Sequence, residues 1–390
     1  MSWPLVKLGD VAPAKASKHA FSTSDEVWTL NLDQVEADTG NVLGKVMAPV
    51  SEAGTSTHGF DERHVLYSKL RPYLNKVVLP DEKGLATTEL VPMLPDPLRL
   101  DRKYLAYYLR SKSFVDWVSS QVAGAKMPRV SMQLFWQHEI PLPPLPEQKR
   151  IAAILDKADA IRRKRQQAIQ LADDFLRAVF LDMFGDPVTN PKGWVVKKVK
   201  DLCMVRGGKR IPKGDSLVKE NTGFPYIKAG NIKSGQVTTK NLEYVPSHVR
   251  KVIERYTVDE GDVCITVVGA NIGDVGVVPK ELHKASLTEN ANKIIIRDSA
   301  VLSSGYLSFF LQADFVQSQI KSKIMAVGVP KLAIFRIEEL DLILPPKELQ
   351  DKFSHVVSAV DGLGESLERS NSLSKLEFQC LNQKAFRGEL

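Results

Sequence analysis

One junction occurs twice in this chain: a proline run that turns at once into a helical pattern. IPLPPLPEQKRIAAIL occupies residues 140–155 and LILPPKELQDKFSHVV occupies residues 342–357. Pro143 falls on Pro345 at an offset of 202, and the offset then stays fixed. Ile151, Ile154, Leu155, Ala158 and Ile161 fall on Phe353, Val356, Val357, Val360 and Leu363, and Phe184 falls on Phe386. Upstream the match drifts. Trp3 meets Trp194 at an offset of 191, Val65 meets Val263 at 198, Thr87 meets Leu287 at 200 and Tyr104 meets Tyr306 at 202. Chance readily makes one such segment, but not a colinear series, so the chain is a tandem duplication.

Each half reads as a mixed α/β domain followed by one long helix, which divides the chain at 1–146, 147–186, 187–346 and 347–390. In the first half, DEVWTLNLDQV (25–35), HVLYSKL (64–70) and NKVVLP (75–80) have strand character, rich in β-branched and aromatic residues between breakers. Residues 102–122 carry helical apolar spacing. The prolines are a rigid exit, because proline suits a first helical turn and blocks regular structure before it. A polyproline ligand is the alternative reading of the run, but the repeat of the whole junction argues for architecture. A helix over 147–183 would be about 55 Å long and needs cover for its apolar stripe. The matched helix is the expected partner, in an antiparallel coiled coil seamed by Ile151, Ile154, Leu155, Ile161, Phe353, Val356, Val357, Val360 and Leu363. Gly362 and Gly364 should kink the second helix locally. The alternative is that each helix folds back on its own domain.

Charge is unevenly placed. Residues 187–346 carry 23 basic and 16 acidic side chains, whereas residues 1–146 carry 16 of each. The excess gathers in RGGKRIPKGD (Arg206, Lys209, Arg210, Lys213) and YIKAGNIK (Lys228, Asn231, Lys233). Glycines beside Lys and Arg let a backbone approach phosphate, and Lys or Arg can fork onto guanine edges. A smaller cluster in the first domain holds Lys69, Arg71 and Lys76, with Lys126 and Arg129 further on. The run Arg162-Arg163-Lys164-Arg165 reads as a solvated helix face. Three distant cysteines, no apolar stretch near the roughly 18 residues a membrane span requires, and no leader pattern suit a reducing cytoplasm.

Enzyme signatures are missing. There is no G-x-x-x-x-G-K-[ST] loop, and the glycine-rich stretch 268–278 lacks G-x-G-x-x-G spacing. The seven histidines and three cysteines form no ligand pattern. Asn190-Pro191 is followed by Lys192-Gly193, without the second proline and aromatic that hold a flipped adenine. Pro80-Asp81 with Asp101-Arg102-Lys103 only echoes a nuclease, since Arg102 and Lys103 open a helix. A reader without chemistry is expected, needing neither metal nor cofactor of its own.

With the duplicated plan, GGKRIPKG, GFPYIKAGNI, GDVCITVVGANIGDVGVV, RPYLNK, IPLPPLPEQKRIAAILDKADAIRRK and the terminal LNQKAFRGEL, the chain resembles the specificity subunits of type I restriction-modification systems. The likeness covers essentially the whole length. It implies two target-recognition domains, 1–146 and 187–346, each reading half of a bipartite site in double-stranded DNA. The helices at 147–186 and 347–390 become spacers that dock two methyltransferase subunits, which restriction helicase-nuclease subunits join. S-adenosylmethionine and ATP would be bound by those partners. GAKMPRVS and GVPKLA stand where the family has a Gly-x-x-x-Pro loop, which adds Lys331 beside Arg129 as a DNA contact, and Asn271 lies in the matching glycine-rich turn. The alternative is a DNA-binding or scaffold subunit of another phage-defence complex.

Overall fold

Both proline junctions are closed by the same hydrogen bonds. Gln148 is fully buried; its amide donates to the carbonyls of Arg99 (2.8 Å) and Pro143 (2.7 Å) and accepts from the Asp101 backbone N–H (2.7 Å). Gln350, equally buried, donates to Val301 (3.0 Å) and Pro345 (2.8 Å) and accepts from the Ser303 N–H (3.0 Å). The Tyr104 hydroxyl donates to the Pro141 carbonyl and that of Tyr306 to the Ile343 carbonyl, each at 2.9 Å. Every partner here is displaced by 202 residues from its counterpart. One amide satisfies three backbone groups that a proline-rich loop and a helix start would leave unpaired.

The computed structural model describes residues 3–54, 56–124, 126–324 and 330–390, without the side chains of 365 and 368. Two units make up the chain, one containing Met1–Ala168 with Leu367–Leu390 and the other Ile169–Ser366. The long helices run Leu145–Phe184 and Lys347–Arg387, so each contributes its beginning to one unit and its end to the other.

In the first unit, a four-stranded sheet has the order Val46–Pro49, Glu26–Leu30, Gly84–Thr87, Thr57–Phe60, its central pair parallel. A three-stranded antiparallel sheet places Val65–Ser68 between Val77–Val78 and Leu90–Met93. The N-terminal strand Leu5–Lys7 pairs with Glu139–Pro141, which brings the chain start to the proline exit. The core joins Val65, Tyr67, Tyr104, Phe114 and Phe135 to Ile151 and Leu155 of the first long helix and Ala385 of the last. Phe386 packs edge-on against Tyr104 and Tyr108.

The second unit repeats the plan on a six-stranded sheet, running from Cys203–Gly207 at one edge to Ile232–Lys233 at the other. Val195–Lys198 pairs with Asp341–Leu344 in the register expected from the first unit. Phe180, Phe184, Tyr306 and Phe353 meet in its core. Phe184 thus takes against Tyr306 the place that Phe386 takes against Tyr104.

Several expectations need correction. Residues 102–122 are not one helix but two, Arg102–Leu109 and Lys112–Ser120. Ser111 breaks the run because its hydroxyl accepts from the Phe114 N–H and caps a new start. Only the first part of DEVWTLNLDQV is strand; Leu32–Gln34 is a 3-10 turn. Ile151, Leu155 and Phe353 are fully buried, and Ile154, Val356, Val357 and Val360 are partly so. Ile161 and Leu363 stay 51% and 65% exposed, so they lie outside the packed seam. The last helix is unbroken through Gly362 and Gly364. Arg162 is not solvated: it is buried, donates twice to Asp159 and lies over the Phe378 ring. Arg165 donates to the Ser370 carbonyl and Arg150 to that of Leu390, so the two helices run antiparallel within the first unit.

One packing difference titrates. The His138 ring stacks on Trp117 at 3.8 Å and shares a hydrogen bond with the Tyr108 hydroxyl. Burial pushes its pKa from 6.5 down to about 4. Unfolded chain therefore takes up a proton that folded chain refuses, and stability falls as pH drops from 6.5 to 4. Because the ring is only partly buried, solvent screening reduces that loss to roughly 1–2 kcal/mol. The second unit has buried Leu340 at the matching place. His138→Leu should flatten the acid-side decline in the unfolding midpoint over this window, measured by thermal denaturation at graded pH.

Candidate nucleic-acid interface

Three segments converge in the same way in both units. In the first, the Lys69 N–H donates to the Glu89 carbonyl (3.0 Å) and the Val130 N–H to the Lys69 carbonyl (3.1 Å), with Leu70 bridged to Arg129. In the second, the Val267 N–H donates to the Asn290 carbonyl (2.8 Å) and the Leu332 N–H to the Val267 carbonyl (2.9 Å), with Val268 bridged to Lys331. Arg129 and Lys331 therefore occupy equivalent places, 202 residues apart.

This geometry gathers much of the first unit's predicted set. Lys69, Arg71 and Arg129 lie on neighbouring backbones, since the Arg71 N–H also donates to the Pro128 carbonyl (2.8 Å). Exposed Lys126 and Met127 precede that strand, and Tyr73 is half exposed on the turn after Arg71. Arg71 and Asn75 hold positive φ, 48° and 51°, around the Pro72–Leu74 turn. Lys76 is turned the other way, its ammonium donating to the Leu32 carbonyl at 2.6 Å. Arg129 grips Glu89 through Nε and Nη2. That pairing, aided by the Lys69 charge, holds the Glu89 carboxyl below its ordinary pKa. Lys69 also disfavours the charged form of His58, after burial of that ring.

In the second unit RGGKR runs onto the same surface. The Gly208 N–H donates to the Ala291 carbonyl (3.1 Å) and the Lys209 N–H to that of Leu287 (2.8 Å). A Cβ at Gly208 would stand 2.0 Å from the Thr288 carbonyl oxygen, so only glycine permits this approach. The Tyr226 hydroxyl fixes the Lys209 carbonyl at 2.9 Å, and the Lys209 ammonium sits 5.8 Å above the Tyr256 ring. Arg210 pairs with Glu289. Partial burial pushes the Glu289 pKa up, but hydrogen bonds from Arg210, its own backbone and Thr288 hold it below the usual value. Gly207, Gly208, Glu289, Lys331 and exposed Phe335 line one open cleft.

The remaining predicted residues are scattered. Arg206, Lys213 and Asn271 are exposed, the first on the edge strand and the last in a turn closed by Asp274. Lys228 pairs with Glu243 at 2.9 Å. Asn231 is buried and holds its own loop, accepting from the Lys228 N–H and donating to the Lys240 carbonyl. Lys233 lies on the opposite edge strand from Arg206. Gly328 and Val329 of GVPKLA and Ala125 of GAKMPRVS lie outside the described residues. Glu89, Glu289, Tyr73 and Phe335 were missed; the match of TTEL (87–90) to LTEN (287–290) marked the two acids without showing what they hold, and the strand ladder shifts that match by one residue.

Among the described residues no group of three potential ligands could hold a metal, no helix is long and apolar enough to cross a membrane, and the cysteines are free thiols.

The type I restriction modification DNA specificity domain matches residues 2–171 and again residues 191–377. The MjaVIII specificity subunit of Methanocaldococcus jannaschii is 22% identical over 298 residues, covering 72% of this chain and 68% of that protein. The EcoKI specificity subunit of Escherichia coli K12 is 24% identical over 307 residues, covering 74% and 65%. The alignments thus span about two thirds of those relatives. Among solved structures, the type I restriction-modification S subunit of M. genitalium superposes with a TM-score of 0.60 at 15% identity, covering 99% of this chain and 96% of that one. A chain from a study of complex assembly in a type I R-M system gives 0.54 at 19% identity, covering 100% and 98%. Carrying its defining domain twice, over most of its length, the chain belongs to the type I restriction-modification DNA specificity family.

Proposed function

We propose that this chain is the DNA-recognition subunit of a type I restriction-modification complex, non-catalytic itself, each unit reading one half of a bipartite duplex site. The observation that carries this reading is the duplicated surface around Glu89 and Glu289, where basic side chains converge on matching backbone segments inside matching family domains. Grouped lysines and arginines supply the sequence-independent part of duplex affinity, and forked arginines supply base discrimination.

The helices would form one antiparallel coiled coil whose outer face docks two methyltransferase subunits, with helicase-nuclease subunits joining them. Ile161 and Leu363, and likewise Leu171 and Leu373, are exposed apolar pairs at the repeat offset. Duplicated apolar residues left facing outward suit two copies of one partner. S-adenosylmethionine and ATP would be bound by those partners, and the assembly would work in the cytoplasm. A protein-binding scaffold is the second reading, favoured by the balance of 16 basic and 16 acidic residues over 1–146.

Titration of random duplex DNA with salt separates the two readings. Lys209→Ala with Lys213→Ala should lower the slope of log affinity against log salt by about two units. Arg210→Ala should change that slope less, because Glu289 already offsets its charge. An unchanged slope in the double variant would place the DNA surface elsewhere, and no duplex binding by the unaltered chain would favour the scaffold.

Spacing offers a second test. Four helix-forming residues inserted after Gln167 add about 6 Å and about 40° of rotation. One base pair supplies about 3.4 Å and roughly 35°. The variant should keep both half-site sequences but prefer a gap longer by roughly one or two base pairs, read by methylation of sites of graded spacing with partners present. An optimum that stays put would show that the helix does not set the distance.

A further inference from the structure

We propose that Glu89 and Glu289 are positioning residues for base recognition: Glu89 holds the Nε–Nη2 edge of Arg129 and Glu289 holds Nε of Arg210, so that the outer nitrogens of each guanidinium are presented as a fork for guanine. This rests on the DNA-reading function proposed above and adds the residues and the base class.

The two acids lie in equivalent turns, one position apart: the Lys69 N–H bonds the Glu89 carbonyl where the Val267 N–H bonds that of Asn290, so Glu289 stands one residue earlier in its turn. Glu89 lies in the turn between strands Gly84–Thr87 and Leu90–Met93, and Glu289 between Ser286–Leu287 and Ala291–Ile296. Their arginines come from unrelated segments. Arg129 belongs to the short strand Arg129–Val130, while Arg210 follows the edge strand Cys203–Gly207. The position equivalent to Arg129 is Lys331 and that equivalent to Glu89 is Asn290, so the second unit builds its acid–arginine pair from the neighbouring turn residue and another part of its chain.

The geometry is that of a braced side chain. Arg129 Nε lies 3.3 and 3.2 Å from the two Glu89 oxygens, and its Nη2 lies 2.9 Å from Oε1. The carboxylate therefore takes the Nε–Nη2 edge and leaves Nη1 and the outer N–H of Nη2 for a ligand. Arg210 places Nε on Glu289 Oε1, while Oε2 accepts from the Thr288 hydroxyl at 3.1 Å. The arginine side chains are 44% and 77% exposed, the glutamates 22% and 28%. Each acid backs its arginine, and the arginine faces solvent.

Two other uses fit less well. An exposed ion pair contributes little stability. An arginine meant only to grip phosphate is weakened by a carboxylate beside it, which repels the anion and cancels the charge. A base-reading arginine gains from the same neighbour, because fixing its rotamer removes an ordering cost otherwise charged to binding. Guanine O6 and N7 match the free fork.

The test is selection from a randomised duplex library by the full-length chain assembled with a methyltransferase partner, followed by salt titration on random duplex. Glu89→Gln should relax the preference for G·C at one position of one half-site by about three- to tenfold, and Glu289→Gln at one position of the other. Random-duplex affinity should hold or rise, since a negative charge is removed. Arg129→Lys and Arg210→Lys keep the charge but lose the fork, and should relax the same positions by about fivefold or more with an unchanged salt slope. Unaltered selection by the glutamine variants, or weakening spread evenly over all positions, would overturn the proposal. Absence of any sequence preference in the unaltered assembly would instead overturn the function on which it rests.

Discussion

Each globular domain ends, and each long helix begins, at one buried amide. Prolines remove backbone donors where the chain leaves its sheet, and a helix start leaves further groups without partners. Gln148 and Gln350 resolve both problems at once by bonding the proline carbonyl, a loop carbonyl and a loop N–H. Glutamate offers no donor and leucine offers no polar group, so neither could replace the amide without orphaning a buried group. With the helix start pinned to its own domain, the residues one and two turns on have fixed neighbours. Ile151 and Leu155 enter the first core, and Phe353 enters the second. The seam within each unit follows from that anchoring.

The halves then diverge in how they fill the space beside the helices. In the first unit Lys103 and Tyr107 both bond Asp156, and Arg162 is buried against Asp159. The corresponding residues of the second unit are Gly305, Phe309, Ser358, Gly364 and Asp361, and most of this charge is gone. Gly305 packs instead against Ser354, whose oxygen would lie 2.8 Å from any Cβ there. A buried charge pair is weak evidence for stability but can specify one register. Duplication kept the frame and let the filling drift.

The repeat and the junctions were legible because they are local and periodic: a proline run, a 3.6-residue stripe and a constant offset survive in sequence. What was not legible depends on contacts between distant segments. Ser111 reads as one more helical residue until its hydroxyl caps Phe114. Ile161 and Leu363 fit the apolar period, yet their face is left uncovered. Arg162 looks like surface in a run of four cations, but its guanidinium is flat enough to lie over Phe378 beside its own acid. Asn231 sits in a basic loop and serves that loop, not its exterior. The basic clusters were visible in composition, whereas the acids that orient them were not. Nothing in TTEL or LTEN reveals which arginine will arrive.

That last point bears on how a duplicated reader comes to read two different sequences. Net charge suggests an inert first domain, with 16 residues of each sign. Yet the charges are not evenly spread: Asp61 pairs with Arg63, and Asp81 and Glu82 share Lys45. Lys69, Arg71 and Arg129 lie on neighbouring backbone segments beside Glu89, with exposed Lys126 just before them, so basic side chains gather there although the domain's sum is zero. The shared feature is then the turn, which carries an acid in both units though at positions one residue apart. The variable is the segment that brings an arginine to it. A change in loop path alters the direction from which the fork emerges without disturbing the sheet, the junction or the helix seam. On the proposed reading, specificity can change at the rim while the sheet, the junction and the helix seam of each unit stay intact.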